Sequence, residues 1–365
     1  MDSESQALFE ATLARYNQDR YQAGQWTEHG RWAEGYAPAL WSEIRSMGWS
    51  ELLRPDDGQA AAPLADLLPL YAAAGVALWR EPIGTLFAEA AAAAAGADQP
   101  ARGAALLAGL LSGERPIAWA HREPGDGWSG AIATTATPTA DGHALGGSKT
   151  MVVGIEASAA LLVSAVDADT RAPGLYLVAA NAPGLVLQRY RTVDDLVAAD
   201  LSFAQTPAEK LCSGSATIRR AQARGAILAA AESLGIMSGA NRDTTDYLRE
   251  RRQFGQALLG FQALQHRLVE MHMRRHECAA LVAALAEAYD RGAPDLDRQL
   301  LVLRVQVARA LRHITREAVQ LHGGMGVTQA LRIGRYYRRA LMLDSLYGTA
   351  DWALEALSEF PQHPH

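Results

Sequence analysis

A seam of apolar residues in the last third of the chain sets the tightest limit on its fold. Phe261, Leu264, Leu268, Met271, Cys278, Val282 and Leu285 follow one another in alternating steps of three and four residues, with one full-heptad step. That spacing keeps side chains on one face of a helix, and such a face must be buried against other helices. From about residue 214 onward the chain is therefore expected to form a long helical bundle. The helical texture also holds over residues 5–112, where Trp41, Ile44 and Met47 recur at three-residue spacing and the stretch from Leu86 to Leu111 is rich in alanine. Between 115 and 210 it gives way to short β-type runs, Ala160–Ser164, Gly174–Val178 and Gly184–Leu187, punctuated by Pro-Gly and Asp-Gly turns. At 365 residues the chain exceeds what one hydrophobic core usually supports. The expectation is a mainly α protein with a central β domain, divided at 1–113, 114–212 and 213–365.

Charge and cysteine content remove several function classes. The net charge of -6 offers no basic footprint for nucleic acid. The polar, acidic start Met1–Ser5 reads as no secretory signal, and the alanine run Ala90–Ala95 is far short of the about 20 apolar residues that span a bilayer. A cytoplasmic location without membrane insertion is the expectation. Cys212 and Cys278 stand alone without a CxxC partner and read as small buried hydrophobes. His272 and His276 share a helix face, but no carboxylate or cysteine completes a metal motif, so no metal is expected. No G-x-S-x-G elbow is present, and Gly323-Gly324-Met325-Gly326 lacks the spacing and βαβ setting of a dinucleotide-binding Rossmann loop.

Two later segments carry chemistry: Glu250-Arg251-Arg252-Gln253-Phe254-Gly255, and Gln320-Leu321-His322-Gly323-Gly324-Met325-Gly326-Val327-Thr328. A pyrophosphate must be met by cations or backbone N–H groups, and an adenine needs a closely approaching backbone, so arginine beside glycine suits a dinucleotide cofactor. Together, with Phe261-Gln262 and Gln265-His266 following the first motif, these segments resemble the two flavin signatures of the acyl-CoA dehydrogenase family. The order helical, β, helical is also that family's order of domains. Leu40–Trp49 leading to Pro55 and Gly58 resembles its first helix and turn, and Ala74–Pro82 its next recurrent patch.

The resemblance implies a helical N-terminal domain, a small β-barrel or sandwich and a C-terminal four-helix bundle, with FAD as cofactor. It places Arg251, with Phe254 beside it, against an FAD held by a neighbouring subunit. It assigns Gln320, Gly323, Gly324 and Gly326 to the adenine end, and Gly348 and Thr349 to the approach to the flavin. In the β domain the pattern departs from the family. Arg122-Glu123-Pro124-Gly125 has Arg122 where the threonine of Thr-Glu-Pro-Gly stands, and Met151 and Val153 occupy the positions of a tryptophan and a threonine.

The family's general base is a glutamate immediately before Gly-Thr, and here that position is Tyr347. A carboxylate suits removal of a thioester α-proton because burial can raise its pKa toward the working pH, whereas a phenol with an ordinary pKa of about 10 is a poor base. Some members carry the glutamate on the first helix of the C-terminal domain, which aligns with Gly225. The nearest acid there is Glu232, seven residues on and roughly 10 Å along a helix axis. Glu232 is thus the weak alternative base, or else a polar contact between helices. Tyr347 still supplies the backbone N–H that, in the family, helps polarise the thioester carbonyl.

The resemblance implies oxidation of an acyl-CoA to its 2,3-enoyl form, with electrons passed to an electron-transfer flavoprotein. It also implies a homo- or hetero-tetramer that shares FAD across an interface. The segments Tyr336-Tyr337-Arg338-Arg339-Ala340 and Asp344-Ser345-Leu346-Tyr347-Gly348 are similar to members that form two-plus-two heterotetramers acting on bulky acyl-CoAs such as steroid side chains. In those assemblies one subunit type contributes the base. The alternatives are a non-catalytic partner that completes a homologue's flavin site, and an oxidase on the same scaffold.

Overall fold

The computed structural model describes residues 2–21, 35–49, 52, 62–81, 83–112, 116–126, 128, 130–328 and 330–360. The expected turn at Pro55 and Gly58, and Pro82, lie outside the described residues. Two compact units emerge. One joins residues 1–29, 63–79 and 226–365, and the other joins 30–62 and 80–225.

The first unit holds α1 (Ser3–Arg20), α3 (Leu64–Ala77), α7 (Gln262–Arg291), α8 (Leu296–His322), α9 (Ile333–Asp344) and α10 (Ala350–Glu359), together with the later part of α6 (Ser215–Glu250). The α8 helix packs against α7, α9 and α10. Its inward face carries Leu303, Val307, Leu311, Ile314, Ala318 and Leu321, at three- and four-residue steps, all buried. On α7 the expected seam is buried from Leu268 through Met271, Cys278, Val282 and Leu285. Phe261 and Leu264 are only partly buried, because Phe261 is the residue that precedes the helix and its ring meets Phe254 edge-on at 6.2 Å. Gly292 ends α7 in the left-handed conformation, where its N–H reaches the Ala288 and Tyr289 carbonyls, a cap that L residues adopt at a cost.

Helices α3 and α6 touch backbone to backbone. A Cβ on Gly235 would sit 1.9 Å from the Ala72 carbonyl oxygen, and one on Gly75 would sit 2.0 Å from that of Glu232. The Tyr336 hydroxyl donates to the Val76 carbonyl at 2.6 Å and ties α9 to the same contact.

The second unit contains α2 (Pro38–Ser46), α4 (Ile83–Ala95), α5 (Pro100–Ser112) and seven strands. The strands are β1 (Ile117–Ala120), β2 (Thr135–Thr139), β3 (Gly142–Val153), β4 (Ala160–Asp167), β5 (Pro173–Ala179), β6 (Leu185–Arg191) and β7 (Val197–Ser213). Pairing runs β1–β4–β2–β3–β7–β5, β5 pairs again with β4, and β6 lies along β7. The β4 run is buried almost throughout, which explains its unbroken apolar sequence. Leu145, Leu161, Val163, Tyr176, Leu201 and Phe203 form the core of this sheet. Among the described residues no helix is long and apolar enough to cross a membrane.

Candidate active site

The two flavin-type motifs meet at one end of the helical unit. After α6 the chain forms a two-stranded hairpin, β8 (Arg252–Gln253) with β9 (Gln256–Ala257), whose tip is Phe254 and Gly255 in left-handed conformations. Phe254 is 89% exposed, and Arg251 beside it is exposed with no ion pair among the described residues. The glycine segment follows α8 as a 3-10 turn over Gly323–Val327. Tyr247, one turn before Arg251, joins the two motifs. Its carbonyl accepts from the Arg251 N–H at 2.8 Å, while its ring stacks on His322 with centroids 4.4 Å apart. The His322 Nδ1 lies 2.8 Å from the Ala318 carbonyl, and burial lowers its pKa, so the ring is a neutral wedge at the head of the glycine turn.

These residues fit a dinucleotide. Gly323 (φ +59°) and Gly324 have open space where a Cβ would stand, which leaves their backbone free for close approach. Gly326 packs on α8, where a Cβ would meet the Val319 carbonyl at 2.5 Å. An unpaired, exposed guanidinium and an exposed aromatic ring project from the adjoining hairpin, the chemistry a pyrophosphate and an adenine ask for. Met325 and Val327 are also exposed, so this end of the unit presents apolar side chains to its surroundings.

The segment at the family's base position is a short turn between α9 and α10. Tyr347 is partly buried and Gly348 is held at φ +98° with its Cα against the Trp352 ring, where a Cβ would meet ring carbon at 2.4 Å. Thr349 caps α10 by accepting the Trp352 N–H at 3.2 Å. Of the nearby acids, Asp344 pairs with Arg312 and accepts the Ala350 N–H at 3.3 Å. Glu232 is gripped at both oxygens by Arg339, at 2.7 Å and 3.1 Å. The structure thus places Glu232 in a two-point ion pair between α6 and α9.

Arg304 was not singled out from sequence. It reaches the turn from α8, its Nη2 donating to the Gly348 carbonyl and to the Asp344 carbonyl at 3.3 Å, with the guanidinium carbon 5.7 Å from the Tyr347 ring centre. Burial pushes its pKa down to about 10, with Asp344 the nearest opposing charge. One signal in the sequence was available: Arg304 interrupts the apolar stretch Leu300–Val305, and an arginine in such a position needs acceptors.

In the β unit Arg122 and Met151 adjoin. The Arg122 guanidinium lies 3.5 Å above the Trp128 ring, its Nη1 points at the Met151 sulfur at 3.3 Å, and its carbonyl accepts from the Thr150 N–H at 2.9 Å. Met151 has φ +53°, an uncommon conformation for its residue type, at an irregularity in the β3–β7 ladder. The Asp200 carboxylate fixes it there by accepting from the Met151 N–H at 3.0 Å and the Thr150 hydroxyl at 2.7 Å. Trp128, between residues that gave no motif, had no signal in the sequence.

Beneath this surface lies a buried charged cluster. Lys149, with no exposed surface, donates to Glu123 at 2.6 Å, to the His121 carbonyl at 3.1 Å and to the Ser164 hydroxyl at 3.0 Å. Glu123 also accepts from the Ala133 and Thr134 N–H groups and the Thr134 hydroxyl. Because Ser164 accepts from Lys149, its own proton is free to go to His121 Nδ1, 2.8 Å away, which sets the neutral Nε2–H tautomer. Burial and the Lys149 charge push the His121 pKa down to about 4 from 6.5. The folded form refuses a proton that the unfolded chain accepts, so stability falls as pH drops from about 6.5 to 4. We expect His121→Gln to remove part of that loss, seen as a smaller drop in denaturation midpoint between pH 7 and pH 4.5.

The chain is similar to several known proteins. Residues 213–360 match the acyl-CoA dehydrogenase C-terminal domain. A 3-(aryl)acrylate reductase of Clostridium sporogenes is 27% identical over 66% of this chain and 67% of its own length. The bovine mitochondrial short-chain specific acyl-CoA dehydrogenase is 28% identical over 67% of this chain and 62% of its own. The matched region thus spans about two thirds of the curated relatives' length. A solved chain of the Tcur3481-Tcur3483 steroid ACAD superposes with a TM-score of 0.90 at 29% identity, covering 98% of this chain and 97% of that one. Fold and relatives agree: residues 213–360 belong to the acyl-CoA dehydrogenase C-terminal domain family, and the chain as a whole is similar to acyl-CoA dehydrogenases, which are FAD-dependent flavoproteins.

Proposed function

We propose that this chain is an FAD-dependent acyl-CoA dehydrogenase-type subunit, and that it works in a heteromeric enzyme whose second chain supplies the base. The observation that carries the second half is the state of the carboxylates. Position 347 is a tyrosine and position 225 a glycine, Glu232 is held at both oxygens by Arg339, and Asp344 is bound to Arg312. A base must be free to take a proton, and an anion in a two-point pair with arginine is a poor one.

FAD, when bound, supplies a hydride acceptor. Arg251, Phe254, Gln320, Gly323, Gly324 and Gly326 would hold its adenine and pyrophosphate portions, with Gly348 and Thr349 toward the flavin. The Tyr347 N–H would donate to the thioester carbonyl and stabilise charge that develops there on loss of the α-proton. Electrons would leave through an electron-transfer flavoprotein. The three-part division at 1–113, 114–212 and 213–365, the cytoplasmic location and the tetrameric assembly belong to the same reading. A bulky, steroid-like acyl group is favoured by the likeness to the steroid ACAD over nearly the whole of both chains.

The exposed Arg251 gives a direct test of the cofactor assignment. Arg251→Ala is expected to leave stability within about 0.5 kcal/mol, as for an unpaired surface residue. FAD retained on gel filtration should fall at least tenfold. Undiminished FAD binding in that variant would remove Arg251 from the site.

A further inference from the structure

The geometry points to Arg304 as the positioning residue of the Ser345–Thr349 turn, a role that rests on the dehydrogenase reading for its consequence but not for its structural test. The turn is a short link between helices, with Gly348 in a left-handed conformation, and its first residues are tied to α9 by the Ser345 and Leu346 N–H groups, which donate to the Met342 and Leu343 carbonyls at 3.0 Å and 3.3 Å. Thr349 and Trp352 anchor its far end to α10, and Asp344, through the Ala350 N–H, bridges it. Arg304 draws the two ends of the turn together, since one nitrogen of its guanidinium donates to the carbonyls of Asp344 and Gly348 while its plane approaches the Tyr347 ring.

The guanidinium itself has been brought to the turn from a separate helix and lacks full compensation. Its Nε is sealed from solvent with no hydrogen-bond partner, and it lines a small cavity with Ala226, Ala229, Ala230 and Leu311. An arginine placed there despite an unmet donor is explained by what its Nη2 holds. With the carbonyls of Asp344 and Gly348 engaged by one buried cation, the turn that carries Tyr347 is pinned to α8. Lysine, a compact ammonium on a flexible stem, lacks the rigid plane that lies beside the Tyr347 ring and would hold the two carbonyls less firmly.

The test compares Arg304→Lys, Arg304→Met and, as a control on the same helix, the exposed Arg316→Met, all without added flavin. Amide hydrogen exchange over residues 345–350 is expected to quicken at least tenfold in Arg304→Met and by an intermediate factor in Arg304→Lys, with Arg316→Met unchanged. Loaded with FAD and titrated with a set of acyl-CoA thioesters, Arg304→Met should also bind about tenfold more weakly. Wild-type exchange at 345–350 in Arg304→Met, or an equal rise along all of α8 and α9, would overturn the assignment. Failure of the wild-type protein to bind any thioester would instead count against the dehydrogenase reading, and the exchange result would still decide the role of Arg304.

Discussion

Lys149→Met is expected to destabilise the β-rich unit by roughly 3–5 kcal/mol, the cost of leaving a buried charge without its partner. Lys149 has no exposed surface, and its loss strands Glu123, which is only 6% exposed. Three donors would remain on Glu123, from Ala133 and Thr134, so the anion would be partly satisfied and the unit should still fold. Ser164 and the His121 carbonyl would each lose a donor as well. The partner change Glu123→Gln should cost less. Burial already pushes the Lys149 pKa down to about 8, so a lysine without its carboxylate can shed its proton rather than remain a buried cation. The double change Glu123→Gln with Lys149→Met is expected to be less damaging than the sum of the two, by about 1–3 kcal/mol. Chemical denaturation of the four proteins measures this. Strict additivity would mean that Glu123 and Lys149 are not energetically coupled across their 2.6 Å contact.

Gly235→Ala is the second large effect, and its cause is steric. The new methyl would stand 1.9 Å from the Ala72 carbonyl oxygen and 2.9 Å from the Val76 nitrogen, both backbone atoms within a helix. No side chain can rotate away, so α3 and α6 must part by an ångström or more. The cost is expected to exceed the about 1–3 kcal/mol typical of overpacking, where side chains give way. Leu67, Leu70, Tyr71 and Ala74, all buried on α3, would lose packing together. Gly324→Ala is the control: nothing lies within 4 Å of its Cβ position, and its thermal transition should move little. A Gly235→Ala protein as stable as wild type would show that the two helices are not in backbone contact.

The parts of the fold that sequence made legible are those whose cause is local. The α7 stripe from Leu268 to Leu285 and the apolar β4 run declare themselves by periodicity, since each residue's burial follows from its neighbours three, four or two positions away. The Arg251–Gly255 and Gln320–Gly326 segments were recognisable as motifs, and the structure joins them through Tyr247 and His322. That junction links residues 75 positions apart, and nothing in the local pattern of either segment encodes it. Glu123 with Lys149, Arg304 with Gly348, and Gly235 with Ala72 are of the same kind: each depends on where two distant elements come to rest. Glu232 shows the consequence for chemistry. From sequence it was an acid on the right helix face; its pairing with Arg339, 107 positions later, decides what it is free to do.

A flavin-dependent dehydrogenase subunit that lacks its own base binds flavin and thioester without reducing the flavin. The most direct measurement is the visible absorption spectrum of this chain, purified alone and reconstituted with FAD, before and after anaerobic addition of a set of acyl-CoAs that includes ring-bearing ones. The oxidised-flavin band is expected to persist with every thioester and to bleach once a homologous chain carrying a glutamate before Gly-Thr is added. Stoichiometric bleaching by the isolated chain would contradict that expectation and would place a working base among this chain's own residues.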